Sequence, residues 1–390
     1  MRWPYRRSIL FLCTLAFFGT MVARLVISPV VPAITAHFDV TNSAVGAALT
    51  GMWMAYALSQ FPSGIVADRY GERRIILTAV GLTAAASLLL AAAPSFLTFV
   101  VFAIVLGAGA GLHYSPATML LTKQFDSIGR AIGVHGAGAP VAGLLAPVVA
   151  AYVGSVYGWR YALGLGAVVA LPVFLVFAWR VHPTPPSQPD ASIRNRLAPG
   201  PLLSLLARPD IAFMVALAVL GAFAWQATAS FLSAFFEQYQ GTSRTTAGLV
   251  FSAYFVVQGV SQPLMGSLSD RIPRDLAVAV CMGAGVVGYT LLVVGDSWLT
   301  LGGAIVCVGL SMSWGAPLQA RLMDTLTSAE KGAGFGFMRT VYVLLGALGS
   351  VVVGTLSDVA GWSVAFALLA GVMAIGMGGV LTNRLFNLGL

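Results

Sequence analysis

The stretch PSGIVADRYGERR at residues 62–74 has a partial copy, QPLMGSLSDRIPRD, at residues 262–275. A glycine, an aspartate and an arginine recur at an offset of 202 residues, the distance from position 68 to position 270: Gly64 with Gly266, Asp68 with Asp270, and Arg69 with Arg271. Further pairs repeat at an offset of 202 or 203: Arg24 with Gln226, Ser28 with Ser230, Gly46 with Gly248, and Gly158-Trp159 with Gly361-Trp362. The chain is therefore predicted to contain two parallel repeats, an arrangement that places a binding site near the bilayer midplane where the repeats meet.

The composition indicates that most of the chain is solvated by lipid. Of the 390 residues, 58% are hydrophobic and only 9% are charged, and the mean hydropathy is +0.89. A soluble domain carries far more charge than this. The net charge of +8 comes from basic residues scattered between apolar runs, which is typical of membrane topology and not of a nucleic-acid surface. We predict an all-α polytopic membrane protein that binds no nucleic acid.

Twelve apolar runs are long enough to cross about 30 Å of hydrocarbon at about 1.5 Å per residue. These predicted spans, numbered 1 to 12, lie at 8–36, 43–66, 75–93, 96–121, 130–156, 160–180, 210–236, 246–268, 277–294, 298–320, 334–356 and 363–383. A polar, proline-rich stretch at 182–201 separates the first six from the last six. The sequence therefore predicts an N-terminal six-helix domain at 1–181, a cytoplasmic linker at 182–207 and a C-terminal six-helix domain at 208–390.

The distribution of basic residues predicts the orientation of the spans. With the N-terminus inside, 18 of the 21 lysines and arginines fall on the cytoplasmic side, and only Arg160 and Arg244 fall outside. The remaining one, Arg24, lies within span 1. This excess follows the positive-inside rule, so we expect a protein of the plasma or inner cell membrane with both termini in the cytoplasm.

No pattern in the sequence indicates an enzyme or a cofactor. The three cysteines, Cys13, Cys281 and Cys307, form no CxxC or Cys/His spacing. No nucleophile and base pair is evident, and the GxxxxGK[ST] loop that binds ATP is missing. We therefore expect no enzymatic activity, no cofactor and no metal.

The loop from Gly64 to Arg74 resembles the signature loop between spans 2 and 3 of the major facilitator superfamily, and residues 266–271 resemble its second copy. The resemblance covers the whole chain and implies a secondary transporter with that fold, two pseudo-symmetric halves and alternating access. It implies that these loops act as conformational latches through Gly64, Asp68, Arg69, Arg73, Gly266, Asp270 and Arg271. Physically, the glycines are expected to permit close helix packing, Asp68 to accept hydrogen bonds from a neighbouring helix N-terminus, and the arginines to hold the loop at the inner interface.

Arg24 is the sharpest functional signal in the sequence. An arginine cannot lose its proton, and at the bilayer centre it costs about 2.5 to 3.5 kcal/mol even on lenient insertion scales. In its spacing from Arg7 and Pro32 it resembles the span 1 arginine of the organic-anion and organophosphate carriers of the superfamily, which binds the anionic group of the substrate. The second arginine and the histidine of the phosphate-exchanging members are replaced here by Gln226 and Ala139. A monoanion such as a small carboxylate is therefore favoured over a phosphate ester.

The candidate substrate-binding residues are Arg24, Gln226, Arg339, Tyr56, Trp225 and Trp314, and the candidate coupling residues are His113 and His135. Each has a structural alternative: Arg24 satisfied by helix carbonyls and Gln226 or Gln258, Arg339 reaching back to the inner interface, and the histidines and aromatic residues serving only in packing.

We predict a secondary active transporter that moves a small anionic solute, with a proton or a counter-substrate as a possible second partner. The alternative within transport is a proton-coupled drug or metabolite exporter of broad specificity. The half-present glycine motif of span 5, Gly138 to Gly143, favours that alternative, whereas Ala23-Arg24 and Ala103 replace the acid and arginine that such exporters usually carry. A non-transporting membrane sensor is less favoured. We expect a monomer in the lipid bilayer.

Overall fold

The structure is a computed structural model, and it describes residues 5–125, 128–189, 200–327, 330 and 333–390. The middle of the predicted linker, 190–199, lies outside the described residues, as do four basic residues of the topology count: Arg2, Arg194, Arg196 and Lys331. The described part of the chain is helical, with no strand. The predicted all-α class is confirmed.

Eighteen α-helices and two 3₁₀ turns occur among the described residues. In the first half the helices are α1 Tyr5–Leu25, α2 Val31–Phe38, α3 Asn42–Tyr70, α4 Glu72–Ala91, α5 Phe96–Gly111, α6 Tyr114–Thr122, α7 Ile128–Gly136, α8 Gly138–Val156 and α9 Trp159–Arg180. In the second half they are α10 Gly200–Leu206, α11 Pro209–Gln238, α12 Arg244–Ser269, α13 Arg274–Val294, α14 Trp298–Ser311, α15 Gly315–Thr325, α16 Ala333–Gly346, α17 Leu348–Val359 and α18 Trp362–Phe386. The 3₁₀ turns are Ser28–Val30 and Met312–Trp314.

Ten helical stretches in the described residues are long and apolar enough to cross a membrane. They correspond to the predicted spans other than 2 and 8. Those two spans are α3 and α12, which are 29 and 26 residues long but are diluted by polar side chains such as Gln60 and Gln258. The spacing of helices thus follows the twelve predicted spans.

The chain divides into two compact units, Met1–Ile34 with Gly51–Ala198, and Thr35–Thr50 with Pro199–Leu390. In the first unit a buried apolar cluster joins helices α1, α4, α6 and α9, with Ile9, Ile76, Leu120 and Phe177 among its members. Helix α3 belongs to both units, because its first turns, up to Thr50, pack within the second.

Several predicted spans are broken and not continuous: spans 1, 4, 5, 10 and 11 each consist of two helices. At four of the breaks a proline lies four residues after the backbone carbonyl that is left without its helical partner: Pro32 after Ser28, Pro116 after Leu112, Pro140 after Gly136, and Pro317 after Ser313. Proline has no N–H to donate, and its ring collides with the carbonyl of the preceding turn. The prolines therefore explain these four breaks.

The fifth break, at Ala347 between α16 and α17, has a different cause. The hydroxyl of Thr50, in the second unit, donates to the Ala347 carbonyl at 2.9 Å and accepts from the Val351 N–H at 3.1 Å. In an unbroken helix that N–H and that carbonyl would bond to each other. An inserted side chain thus divides span 11 where no proline does.

The start of α3 is also held within the second unit. Both carboxylate oxygens of Asp358 accept backbone N–H groups, from Asn42 at 3.1 Å and from Ser43 at 2.6 Å. The first N–H groups of a helix have no partner inside it and carry the positive end of the helix dipole. Asp358 therefore serves as a cap contributed from 315 residues away.

We expect Thr50→Val to lower stability by about 1 to 3 kcal/mol, because it leaves the buried Ala347 carbonyl and Val351 N–H without the hydroxyl that bridges them. The measurement is the Tm of the detergent-solubilised protein. The control is Thr78→Val, which removes an exposed hydroxyl that bonds only to the Arg74 carbonyl within its own helix. Equal Tm values for the two variants would contradict a structural role for the bridge.

Candidate functional site

Arg24 lies in the last turn of α1, and its side chain is 3% exposed. Its Nε donates to the Thr20 carbonyl at 3.0 Å, and its Nη2 contacts the Met21 sulfur at 2.8 Å. The last carbonyls of a helix lack partners within it and form the negative end of its dipole. The sequence thus places the cation where its own helix stabilises a positive charge.

Two aromatic rings of α3 face the Arg24 guanidinium. Its Cζ lies 4.1 Å from the ring centroid of Tyr56 and 5.1 Å from that of Trp53. Three residues apart on a helix, Trp53 and Tyr56 share one face, and their rings meet edge to face at 5.9 Å. The π faces attract the cation. The structure therefore brings together two of the candidate substrate-binding residues, Arg24 and Tyr56, with Trp53 beside them.

The contacts named so far are neutral: a carbonyl, a thioether and two ring faces. A thioether is a weak acceptor, whereas a carboxylate binds a guanidinium through short, charge-assisted and often bidentate hydrogen bonds. Two further polar atoms of the first unit are buried without a hydrogen-bond partner among the described residues, Ser28 Oγ just beyond α1 and Gln60 Nε2 on α3. The first unit thus contains a buried cation, Arg24, and two buried polar atoms whose hydrogen-bonding capacity is not used among the described residues.

His113 and His135 come together in the first unit, with ring centroids 5.5 Å apart. Both are fully buried. The ring of Phe17 lies 6.1 Å from His113 and 5.1 Å from His135, and Tyr114 lies 5.5 Å from His135. The two predicted coupling residues thus form one cluster beside α1.

Gln226 lies in α11 of the second unit and is 2% exposed. Its Nε2 donates to the Val343 carbonyl in α16 at 3.0 Å, while its Oε1 is buried without a hydrogen-bond partner among the described residues. The amide is thus fixed by the hydrogen bond from its Nε2, and its Oε1 is a buried acceptor.

The other candidates of the second unit are Trp225, Trp314 and Arg339. Trp225 donates to the Gln258 side chain at 3.4 Å and packs against Phe255. Trp314 lies in the 3₁₀ turn of span 10, its ring meets that of Tyr342 at 6.1 Å, and its Nε1 has no hydrogen-bond partner in the described part of the chain. Arg339 is half-buried in α16.

The predicted latch loop is anchored within the first unit by Arg73. Its Nε and Nη2 donate to the carbonyls of Val181 and Ala178, both at 2.6 Å, and its backbone N–H donates to Thr184 Oγ1 at 3.0 Å. Arg73 therefore caps the C-terminus of α9 and complements the negative end of its dipole. Gly71, before it, has φ +88°, and a Cβ there would collide with the Thr184 carbonyl oxygen.

The rest of the loop extends this anchoring. Glu72 is fully buried and pairs with Lys123, which also donates to Ser187 Oγ at 2.8 Å. The Asp68 carbonyl accepts the Gln188 N–H at 2.9 Å. The loop thus ties α4 to the end of α6 and to the segment after α9.

The glycine and arginine of the motif have modest contacts. A Cβ on Gly64 would lie 3.7 Å from Ser115 and one on Gly266 would lie 3.7 Å from Ala316, which is ordinary packing distance. The Arg69 guanidinium lies 5.6 Å from the Tyr70 ring. The tight approach in this loop occurs at Gly71.

The second copy of the loop is built differently. Asp270 and Arg271 are exposed. The ion pairs of this copy are formed by residues that follow them, Arg274 with Asp324 at 3.0 Å and Asp275 with Arg321 at 2.5 Å. These pairs join the start of α13 to α15. The weaker sequence match of this copy thus accompanies a different set of partners.

Sequence reasoning missed Met21 and Thr50, and it did not select Trp53 from among the aromatic residues in the middle of spans. The spacing of Trp53 from Tyr56 on one helix face was a usable signal. The thioether contact of Met21 and the insertion of Thr50 depend on tertiary packing and leave no signal in the sequence. Within the described residues, no group of three or more His, Cys, Asp or Glu side chains is placed to hold a metal ion.

Comparison with known proteins gives consistent relatives. The hexuronate transporter of Bacillus subtilis (strain 168) is 23% identical over 368 residues, which cover 86% of this chain and 85% of the relative. The probable 4-methylmuconolactone transporter of Cupriavidus pinatubonensis is 26% identical over 341 residues, which cover 84% of this chain and 78% of the relative. Among solved structures, a bacterial homolog of the human lysosomal transporter Spinster matches with a TM-score of 0.82 at 16% identity over 98% of both chains, which shows the fold.

The family description "Major Facilitator Superfamily" matches residues 13–241 and 214–386. The match spans nearly the whole chain and confirms the resemblance carried by residues 64–74. It also confirms the assignment to membrane transport and not to enzymatic catalysis. The chain is a multi-pass secondary transporter that belongs to the Major Facilitator Superfamily.

Proposed function

We propose that this transporter moves a small organic monoanion, a carboxylate, by alternating access, with Arg24 as the ligand of the carboxylate group. The observation that carries the proposal is the environment of Arg24, a buried guanidinium held by a carbonyl, a thioether and two ring faces. A carboxylate binds a guanidinium through short, charge-assisted and often bidentate hydrogen bonds, so a buried guanidinium between two ring faces suits a carboxylate ligand.

The neutral polar groups favour a single negative charge on the substrate. Gln226 stands at the repeat position of Arg24 and provides an amide in place of a second guanidinium. Ser28 Oγ and Gln60 Nε2 are buried polar atoms that hydroxyl groups of a substrate can satisfy. The placement of Gln226 opposite Arg24 across the pseudo-twofold axis stays a prediction, as do roles in substrate binding for Arg339, Trp225 and Trp314.

The relatives support the same substrate class. A hexuronate, named for the Bacillus subtilis relative, is a sugar with one carboxylate and several hydroxyl groups. One carboxylate suits the single guanidinium of Arg24, which lies against two aromatic faces. At 23% identity, the comparison supports a class of substrate, and D-glucuronate and D-galacturonate are suitable probes.

Export of lipophilic cations is the alternative, and a sensor without flux is a further one. The positive charge of Arg24 disfavours a cationic ligand beside it. Uptake of cationic drugs that follows an imposed pH gradient and ignores carboxylates would favour the exporter. Ligand binding without flux would favour the sensor.

We further propose a monomer in the cell membrane with both termini in the cytoplasm. The support for this orientation is the excess of basic residues between the spans on one side, which follows the positive-inside rule. Arg160 and Arg244, at the start of α9 and α12, mark the outer side in this orientation.

We expect Arg24→Gln to raise the half-saturating concentration of D-glucuronate about 10- to 100-fold, because a hydrogen bond to a charged group contributes about 1.5 to 3 kcal/mol. The measurement is exchange of radiolabelled D-glucuronate in proteoliposomes. The matched control is Arg160→Gln. Arg160 also faces an aromatic ring, Trp159 at 4.3 Å, and donates to a carbonyl, that of Ala93 at 3.3 Å. Unchanged affinity and flux in Arg24→Gln would refute the assignment.

We expect Tyr56→Leu to weaken D-glucuronate binding about 2- to 30-fold, since it removes a ring face that holds the Arg24 guanidinium and contributes about 0.5 to 2 kcal/mol. Tyr56→Phe keeps the ring face and serves as its control, with affinity near that of the wild type. The same exchange assay measures both. If Phe and Leu weaken binding equally, the hydroxyl and not the ring face is what matters.

A further inference from the structure

His113 and His135 lie at two of the helix breaks. His113 is the residue that precedes α6, next to the break after α5. His135 lies in the last turn of α7, two residues before the break at Ala137. Discontinuous helices in secondary transporters commonly form substrate and ion sites. The pair thus occupies a place in the fold that suits a binding function.

The polar atoms of the pair are unsatisfied. Both side chains are fully buried, and none of the four ring nitrogens has a hydrogen-bond partner in the described part of the chain. The backbone of Cys13 is the polar group that acts on both rings. A neutral imidazole has one donor and one acceptor, and leaving such a group unsatisfied costs about 1 to 3 kcal/mol. Because both imidazoles carry this cost in one cluster, packing alone does not explain them.

The surroundings of the pair contain few titratable groups. Helix α1 contributes the buried Cys13 thiol and the Arg24 guanidinium, whose positive charge acts on His113. Tyr114 contributes a ring from α6. No carboxylate of the described residues acts on either ring. A proton arriving at the pair therefore meets one charged neighbour, and that neighbour is the proposed anion ligand.

The second half of the chain lacks this pair. His113 precedes Pro116 by three residues, and Trp314 precedes Pro317 by three, so Trp314 stands in the place of His113; at an offset of 203, Met338 stands in the place of His135. Prolines occupy matching places at the breaks of spans 4 and 10, Pro116 and Pro317, so the break is common to both halves while the imidazole is not. The histidines are therefore dispensable for the broken-helix geometry and are particular to the first unit.

We propose that His113 and His135 form one proton-binding site, which couples anion transport to the proton gradient by symport. The proposal rests on the proposed function, with a carboxylate bound at Arg24. The proton comes from water on one side, binds a ring nitrogen of the pair, and is released to water on the other side. In the described conformation the pair is buried without acceptors, so a positive charge there is unfavourable. A conformation that hydrates the pair binds the proton more tightly, and this difference is what a coupling ion requires.

The anion and the proton favour one another through Arg24. An anion bound to Arg24 offsets the positive charge that opposes a proton on the pair. By linkage, the proton strengthens anion binding by the same factor. The carrier therefore moves both together in preference to either alone.

The test uses proteoliposomes that contain the purified full-length protein, with D-glucuronate as the probe. Equilibrium exchange at equal pH on both sides tests the proposed function. Accumulation under an acid-outside gradient tests the coupling. One pH unit supports about tenfold accumulation for one proton per monoanion. Internal pyranine should report acidification when D-glucuronate enters the wild-type liposomes.

The variants are His113→Asn, His135→Asn and both together, with the exposed His37→Gln as the matched control. The readout is accumulation under the gradient, divided by the exchange rate of the same liposomes. We expect the ratio to fall about tenfold, to its value at equal pH, in each single variant and in the double variant, and to stay unchanged in His37→Gln. Because the single variants are read independently, misfolding of the double variant does not prevent a decision.

Three outcomes overturn the proposal. Exchange in the wild type without acid-driven accumulation shows that transport is not coupled to protons, and leaves the proposed function intact. Accumulation that persists in both single variants shows that the histidines only pack or form hydrogen bonds. Absence of exchange with every carboxylate probe removes the proposed function, and the coupling with it.

Discussion

A helix that crosses a membrane must satisfy its own backbone groups, because lipid offers no hydrogen bonds. In this protein several helix ends and one helix break depend on side chains that meet that requirement. Arg73 bonds to two carbonyls at the end of α9, and Asp358 accepts the first N–H groups of α3. Arg24 lies in the last turn of α1. Each of these three charges thus lies at the end of a helix dipole that attracts it.

The same rule distinguishes the two arginines. Arg73 donates at short distance to two carbonyls, so its charge is used in holding α9 and the following segment. Arg24 has one such carbonyl, while its other named contacts are a sulfur and two ring faces. Its delocalised, planar cation suits a site between aromatic rings better than a lysine ammonium would. Arg73 is therefore held by two backbone carbonyls, whereas Arg24 faces two aromatic rings.

Much of the architecture could be predicted from the sequence. Apolar runs located the spans, the 202-residue offset located the repeat, and the loop at 64–74 identified the family, because each depends on a local pattern. The breaks in spans 1, 4, 5 and 10 were also predictable, since Pro32, Pro116, Pro140 and Pro317 each remove a defined hydrogen bond. The predicted spans 1, 4, 5 and 10 were single apolar runs, and their prolines were not used to predict the breaks.

The sites were predictable only in part. A charged residue in an apolar run identified Arg24, and no tertiary knowledge was needed. Trp53 beside Tyr56 required only helical spacing. In contrast, the bond from Gln226 to Val343 and the meeting of His113 with His135 depend on which helices pack together. Single-residue patterns do not contain that information.

The insertion of Thr50 at Ala347 also bears on how span 11 can bend. The hydroxyl replaces one backbone hydrogen bond with two of its own. The hydroxyl therefore gives the Val351 N–H an acceptor and the Ala347 carbonyl a donor at the point where the regular helix is interrupted. Span 11 is thus broken without a proline and without leaving either of these backbone groups bare in lipid.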